Sequence, residues 1–136
     1  MFCTICYISK TSNLLDKNKL NELFEQVTIF NNSNNIKGIL LFNNNYFFQI
    51  IEGETVIINK LFHSKIKLDS RHNNILVAIE KEFKNSVFSE YNSKFNIVKD
   101  ANDLKKIIAY LEINKFSSTN EKIKRLLKPF LILMED

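Results

Sequence analysis

Four polar residues stand where apolar ones are expected, and as a set they could hydrogen-bond a flat heteroaromatic ligand. Gln49 interrupts Tyr46-Phe47-Phe48-Gln49-Ile50-Ile51, inside the most apolar strand-like run of the chain. A buried amide must find hydrogen-bond partners or cost about 1–3 kcal/mol. Gln49 therefore either bonds a neighbouring side chain, a water or a ligand, or faces solvent on an edge strand. Tyr7 closes the first apolar stretch, and Asn31 stands just past the first helical pattern. Lys65 shares the i, i+3, i+4, i+7 face of a helix with Ile58, Leu61 and Phe62. Two readings fit it: a lysine snorkelling at the rim of the core, or an ammonium over a cavity for an anionic or carbonyl-rich ligand.

Other chemistries lack their signals. There is no Gly-rich phosphate loop, no G-x-S-x-G elbow and no H-E-x-x-H. Cys3 and Cys6 have redox spacing, but three residues apart in a strand their side chains point to opposite faces. They read as structural cysteines, and no metal site is expected. His63 has no partner histidine nearby and reads as a surface residue. The 136 residues suit one domain, at 45% hydrophobic and 25% charged. No apolar run nears the roughly 20 residues of a membrane span. The start has no export signal, and two thiols without one suggest the reducing cytoplasm. Basic residues exceed acidic ones by 19 to 15, but only Arg71 and Arg125 are arginines and the lysines are scattered. That is a solvated surface, not a nucleic-acid interface.

The elements that must position these residues follow from periodicity. Residues 1–9 read as a largely buried strand, with a polar break at Thr11, Ser12 and Asn13. Leu20, Leu23, Phe24 and Val27 form the apolar stripe of a first helix, with Asp16 as N-cap and a polar end from Asn31 to Asn35. Strands over 36–42 and 46–51 flank a hairpin at Asn43-Asn44-Asn45, since asparagine tolerates the left-handed region. Glu52-Gly53-Glu54 breaks the second of them and opens a helix over 55–68. Further strands are expected over 75–79 and about 88–98, the latter interrupted by Ser89, Asn92 and Ser93. Two helices, 100–114 and 118–133, end the chain, with Pro129 kinking or shortening the last. The order β-α-β-β-α-β-β-α-α describes an α+β, ferredoxin-like βαββαββ sandwich. It has a five-stranded mixed sheet, two helices on one face and two additional C-terminal helices that could cover the other. The expected division is a core over 1–98 and a helical output or interaction region over 99–136.

Phe47-Phe48-Gln49-Ile50-Ile51-Glu52-Gly53-Glu54, followed by Asp69-Ser70-Arg71-His72, resembles the signature of the BLUF family, blue-light sensors that use FAD. Tyr7 in Cys6-Tyr7-Ile8-Ser9 resembles the family's first-strand tyrosine. Asn31, seven residues before Gly38 in Lys37-Gly38-Ile39-Leu40-Leu41, resembles its flavin-binding asparagine, and Gln49, eleven residues after Gly38, its switching glutamine. The resemblance runs from Met1 to about Phe95, with one extra residue between Glu54 and Lys65.

This resemblance implies a flavin held non-covalently between the first two helices: FAD, with FMN or riboflavin also fitting. Tyr7 would donate an electron and then a proton, and Gln49 would rearrange its amide and bond the flavin C4 carbonyl more strongly. Asn31 would bond the ring's polar edge, and Lys65 the carbonyl edge or the tail. Asp69, Arg71 and His72 match a family motif; flavin contact is implied, while capping and an ion pair equally explain Asp69 and Arg71. One departure stands out, in Phe83-Lys84-Asn85-Ser86-Val87-Phe88. Ser86 and Phe88 occupy the positions of the family's tryptophan and methionine, which bears on output. With nothing after residue 136, the expectation is a stand-alone sensor and not an enzyme. It would signal through an unidentified protein partner or its own oligomer, using the C-terminal helices. The alternative is a light-insensitive ferredoxin-like interaction module that has lost flavin binding or the photocycle.

Overall fold

In the computed structural model, which describes residues 1–12, 15–83, 86–88, 91, 94–113 and 118–135, backbone pairing extends several elements beyond their apolar patterns. The first strand, β1 (Phe2–Thr11), is buried on both faces, as a strand flanked on each side must be. Thr11 belongs to it: its N–H donates to the Asn45 carbonyl at 3.0 Å, so no break falls there. Asn13, the last residue of that expected break, lies outside the described residues. Asp16 caps α1 (Lys17–Ser33), its Oδ1 accepting from the Lys19 N–H at 2.8 Å. The helix continues past Asn31 because the Asn34 amide, donating to the Phe30 carbonyl at 2.8 Å, satisfies its end. Asn31 thus lies in the last turn, not beyond it.

β2 (Lys37–Asn43) and β3 (Tyr46–Glu54) form a hairpin whose two turn residues, Asn44 and Asn45, have φ of 53° and 66°. Two positive φ values match a type I′ turn, whose twist suits the flanking strands. β3 does not break at Glu52. Glu52, Gly53 and Glu54 pair with Thr4, Cys3 and Phe2 of β1, and the ladder overrides their polar composition. Gly38 in β2 has φ +136°, and a Cβ there would lie 1.9 Å from the Ile50 carbonyl oxygen.

α2 (Thr55–Leu61) runs into a single π-helical turn, Phe62–Ile66, closed by the Lys67 N–H on the Phe62 carbonyl at 2.9 Å. The expected uniform α-helix to Leu68 is corrected here: the wider turn carries the apolar face from Leu61 and Phe62 to Ile66 and moves Lys65 outward. β4 (His72–Phe83) is longer than the expected 75–79, since it pairs along all of β1 from Thr11↔His72 to Phe2↔Phe83. β5 is short, Phe95–Val98; Phe88 is buried outside any strand, and Ser89, Asn92 and Ser93 lie outside the described residues.

These strands form one mixed sheet ordered β4-β1-β3-β2-β5. Leu23 of α1 and Ile58, Leu61 and Phe62 of the second helical segment pack against Cys3, Ile5, Tyr7, Leu40, Phe47 and Ile51. Both helices therefore cover one face, which makes the fold α+β and ferredoxin-like.

The chain divides into two compact units, residues 1–97 and 98–136. The second consists of α3 (Ala101–Ile113) and α4 (Ser118–Glu135), joined by burial of Leu104, Ile107, Ile108 and Leu111 with Ile123, Leu127 and Phe130. The expected end of the first of these helices at Asn114 lies outside the described residues. Pro129 does not shorten α4, which continues to Glu135, where its carboxylate meets Lys105 at 2.9 Å. Among the described residues, no helix is long and apolar enough to cross a membrane.

Candidate functional site

Strand alternation places Tyr7 and Gln49 directly opposite each other on β1 and β3, with Leu40 of β2 beside Gln49. The sheet buries both, and β3 is interior, so Gln49 cannot face solvent. Its Nε2 donates to the Tyr7 hydroxyl at 2.5 Å. Since the hydroxyl accepts this bond, its own proton is left to point elsewhere. Burial pushes the Tyr7 phenol far above its ordinary range, with the Gln49 hydrogen bond opposing in part. Tyr7 is thus a neutral phenol near neutral pH.

The pair forms part of the wall of a cavity of about 280 Å³. That is close to the lower end of small-molecule sites, roughly 300 Å³. α1 contributes Leu23, Val27, Phe30 and Asn31; the sheet adds Leu40 and Phe47; Leu61, Lys65 and Ile66 close the opposite side. Asp69, Arg71 and His72 complete the lining, so all seven residues singled out from sequence meet in one place. The wall is chiefly aliphatic and aromatic with a few polar groups, the usual make-up of a site for a planar organic ligand.

Asn31 supplies the sharpest test of what fits. It is 2% exposed, its backbone carbonyl accepts from the Ile36 N–H at 2.8 Å, and its Nδ2 has no hydrogen-bond partner. A buried unpaired donor on a cavity wall suits a carbonyl-bearing ring. The flavin implied by the resemblance has such carbonyls, and the residues present fit it. Replacing Asn31 by leucine should therefore leave the ligand-free melting temperature unchanged or raised. It should weaken flavin affinity by about fivefold, the equivalent of roughly 1 kcal/mol for one hydrogen bond. Differential scanning fluorimetry and a flavin titration read the two effects separately.

His72 braces the site. Its Nε2–H donates to the Ile66 carbonyl at 2.6 Å, and its Nδ1 lies 2.6 Å from the Ser9 hydroxyl. A carbonyl only accepts, so neutral His72 carries its proton on Nε2 and accepts from Ser9. The ring ties β1 to the end of the π-helical turn and lies 6.0 Å from the Tyr7 ring. Lys65 is exposed at the cavity mouth with its ammonium 4.1 Å from the centre of the Phe30 ring. It is a rim lysine placed over an aromatic wall.

Asp69 and Arg71 bond each other. The Arg71 Nε and Nη2 donate to the Asp69 carboxylate at 2.9 and 2.5 Å, its backbone N–H adds a third bond at 2.9 Å, and Nη1 reaches Gln26 of α1 at 3.4 Å. Hydrogen bonds from Arg71 hold the Asp69 carboxyl below its ordinary value of 3.8, against partial burial. A lowered folded-state pKa gives stability that is complete above the ordinary value and is lost as pH falls through the lowered one. Asp69→Asn should accordingly flatten the decline in melting temperature below pH 4 relative to the unmodified chain.

Gln26 and Ser9 escaped sequence reasoning. Gln26 stands one turn before Phe30 on α1, and Ser9 two residues after Tyr7 on the same strand face; that spacing was their only signal. Cys3 and Cys6 are buried on opposite faces of β1 and are not joined in a disulfide. Among the described residues no group of three or more metal-ligating side chains occurs.

A ferredoxin-like sheet with a helix-covered, ligand-sized cavity and a buried tyrosine–amide pair on its wall has the make-up of a small-molecule-binding domain. The family model described as "Sensors of blue-light using FAD" matches residues 2–94. The chain belongs to the BLUF family. Klebsiella pneumoniae BlrP1 in complex with calcium and cyclic diGMP is similar over 97% of this chain at 26% identity, with a TM-score of 0.72. This chain spans about a third of that protein, 34%. The isolated BLUF domain of BlrP1 gives 26% identity and a TM-score of 0.71, covering 96% of this chain and 90% of that one. BlsA in its photo-activated state gives 28% identity and a TM-score of 0.66, covering 97% and 96% respectively. No curated protein matches.

Proposed function

We propose that this chain is a blue-light photoreceptor that binds FAD non-covalently in the Tyr7–Asn31–Gln49 cavity and signals through hydrogen-bond rearrangement. Tyr7, Asn31, Gln49 and His72 would hold the ring, and Lys65, Asp69 and Arg71 would line the exposed mouth. When bound, the flavin supplies the chromophore and the acceptor for an electron and a proton. Tyr7, held neutral by burial, would be the residue that supplies an electron and its phenolic proton to the bound ring. Gln49 is the switch. Its amide donates to Tyr7 in the present arrangement; rotated by half a turn, it presents Oε1 to the Tyr7 hydroxyl and frees Nε2 for the cavity. In a dry wall the two arrangements differ strongly, because such bonds are poorly screened. The carrying observation is the buried Gln49–Tyr7 hydrogen bond beside the unpartnered Asn31 amide.

Residues 1–98 are the sensory core in this reading, and 99–136 the output region. No reaction on a substrate is assigned to the chain, and its activity lies in the cytoplasm. A downstream protein partner or a second copy engages α3 and α4. The test is the visible absorption spectrum of protein reconstituted with FAD, before and after blue light, repeated with FMN and riboflavin. A flavin band that shifts reversibly to longer wavelength is expected, with FAD bound most tightly. Absence of binding to any flavin would leave a light-insensitive interaction module.

A further inference from the structure

On the sheet face away from the cavity, Glu52 is buried, 1% exposed, three residues beyond Gln49 on β3. Its carboxylate accepts four hydrogen bonds. Oε2 takes the Thr4 hydroxyl at 2.5 Å and the Val87 N–H at 3.0 Å. Oε1 takes the Ser86 hydroxyl at 2.7 Å and the Phe88 N–H at 2.9 Å. Thr4 is its cross-strand neighbour on β1, three residues before Tyr7. The carboxylate therefore joins both strands that carry the tyrosine–glutamine pair to a segment, Ser86–Phe88, that lies outside any strand.

We propose that Glu52 is a positioning residue that couples the state of Gln49 to the Ser86–Phe88 segment. This rests on the photoreceptor reading above. Hydrogen bonds to a carboxylate are shorter and stronger than neutral ones, and stripping donors from a buried carboxylate is costly. A displacement of β3 relative to β1 therefore carries Ser86–Phe88 with it instead of breaking the clamp. Two of the four donors are backbone N–H groups, so Glu52 holds the segment's main chain as well as the Ser86 side chain.

The test is hydrogen–deuterium exchange of the full chain with FAD, in the dark and under blue light, for the unmodified protein and Glu52→Gln. Glutamine keeps the shape but replaces one accepting oxygen with a donor NH₂; the hydroxyl on that side can turn to accept from it, whereas the backbone N–H cannot, so one of the two backbone bonds to the segment is lost. The unmodified protein should show a light-dependent change in exchange at Val87 and Phe88. Glu52→Gln should keep the absorption shift and lose that light-minus-dark difference, with dark exchange there about tenfold faster. An undiminished difference in Glu52→Gln overturns the proposal. So does an absorption shift with no change at Val87 and Phe88 in the unmodified protein. No absorption shift at all in the unmodified protein removes the photoreceptor reading, and the coupling with it. If Glu52→Gln does not fold, Ser86→Ala should reduce the difference and Ser86→Thr restore it; equal differences in both overturn the coupling.

Discussion

Replacing Gln49 by leucine will leave flavin bound and abolish the reversible long-wavelength shift of its absorption band. Leucine matches glutamine in bulk but has no donor or acceptor, so the two amide arrangements become one. The cavity keeps its aliphatic and aromatic walls and the Asn31 amide, and for this reason flavin affinity should change by less than about tenfold, one hydrogen bond's worth. Tyr7→Phe should give the same spectroscopic loss by another route. It removes the electron and proton donor and strands the buried Gln49 Nε2 without its acceptor. That stranding adds a stability cost of about 1–3 kcal/mol that Gln49→Leu avoids, because leucine leaves no unpaired amide behind. Spectra and urea midpoints of both variants, taken together, separate the switch from its scaffold. A full shift retained in Gln49→Leu would remove the glutamine from the mechanism.

Gly38→Ala will cost roughly 3–5 kcal/mol, in the extreme tail of single substitutions. The Cβ would lie 1.9 Å from the Ile50 carbonyl oxygen and 2.8 Å from its carbon, and the φ of +136° suits glycine alone. Both colliding atoms are backbone, so no side chain can swing aside. β2 would have to part from β3 at this point, one residue from Gln49, and the site would loosen with the ladder. A small domain has only about 5–15 kcal/mol in hand. Soluble yield should fall, and the urea midpoint of any recovered protein should drop to match. A midpoint shift equivalent to less than about 1 kcal/mol would mean that the hairpin reshapes to accept the methyl group.

Much of this was legible in the residues. The stripe Leu20, Leu23, Phe24 and Val27, the cap Asp16 and the asparagine turn are local signals, and local signals survive in the fold. The element order alone led to the ferredoxin-like topology. What escaped was set by pairing over distance. Glu52-Gly53-Glu54 looks like a break, yet β1 supplies ladder partners for all three. β4 looks short because an edge strand needs little apolar residue, while its length is fixed by β1. The unlikely-looking glutamine in an apolar strand was visible as an anomaly, but its partner could only be seen once register set Tyr7 opposite. Nor could periodicity announce the π-helical turn, since the i, i+3, i+4, i+7 face it interrupts runs unbroken through Lys65. Glu52 gave no signal at all as an acceptor for Ser86–Phe88, which is remote in sequence.

The π-helical turn at Phe62–Ile66 also bears on how such a chain can evolve. A helix that gains one residue normally rotates everything downstream by about a quarter turn, turning buried faces to water. A wide turn absorbs the newcomer locally. Ile58, Leu61 and Phe62 before it stay on the sheet, while Ile66 after it still lines the cavity and still offers its carbonyl to His72. An insertion or deletion at this turn should therefore disturb the cavity far less than one elsewhere in the helix.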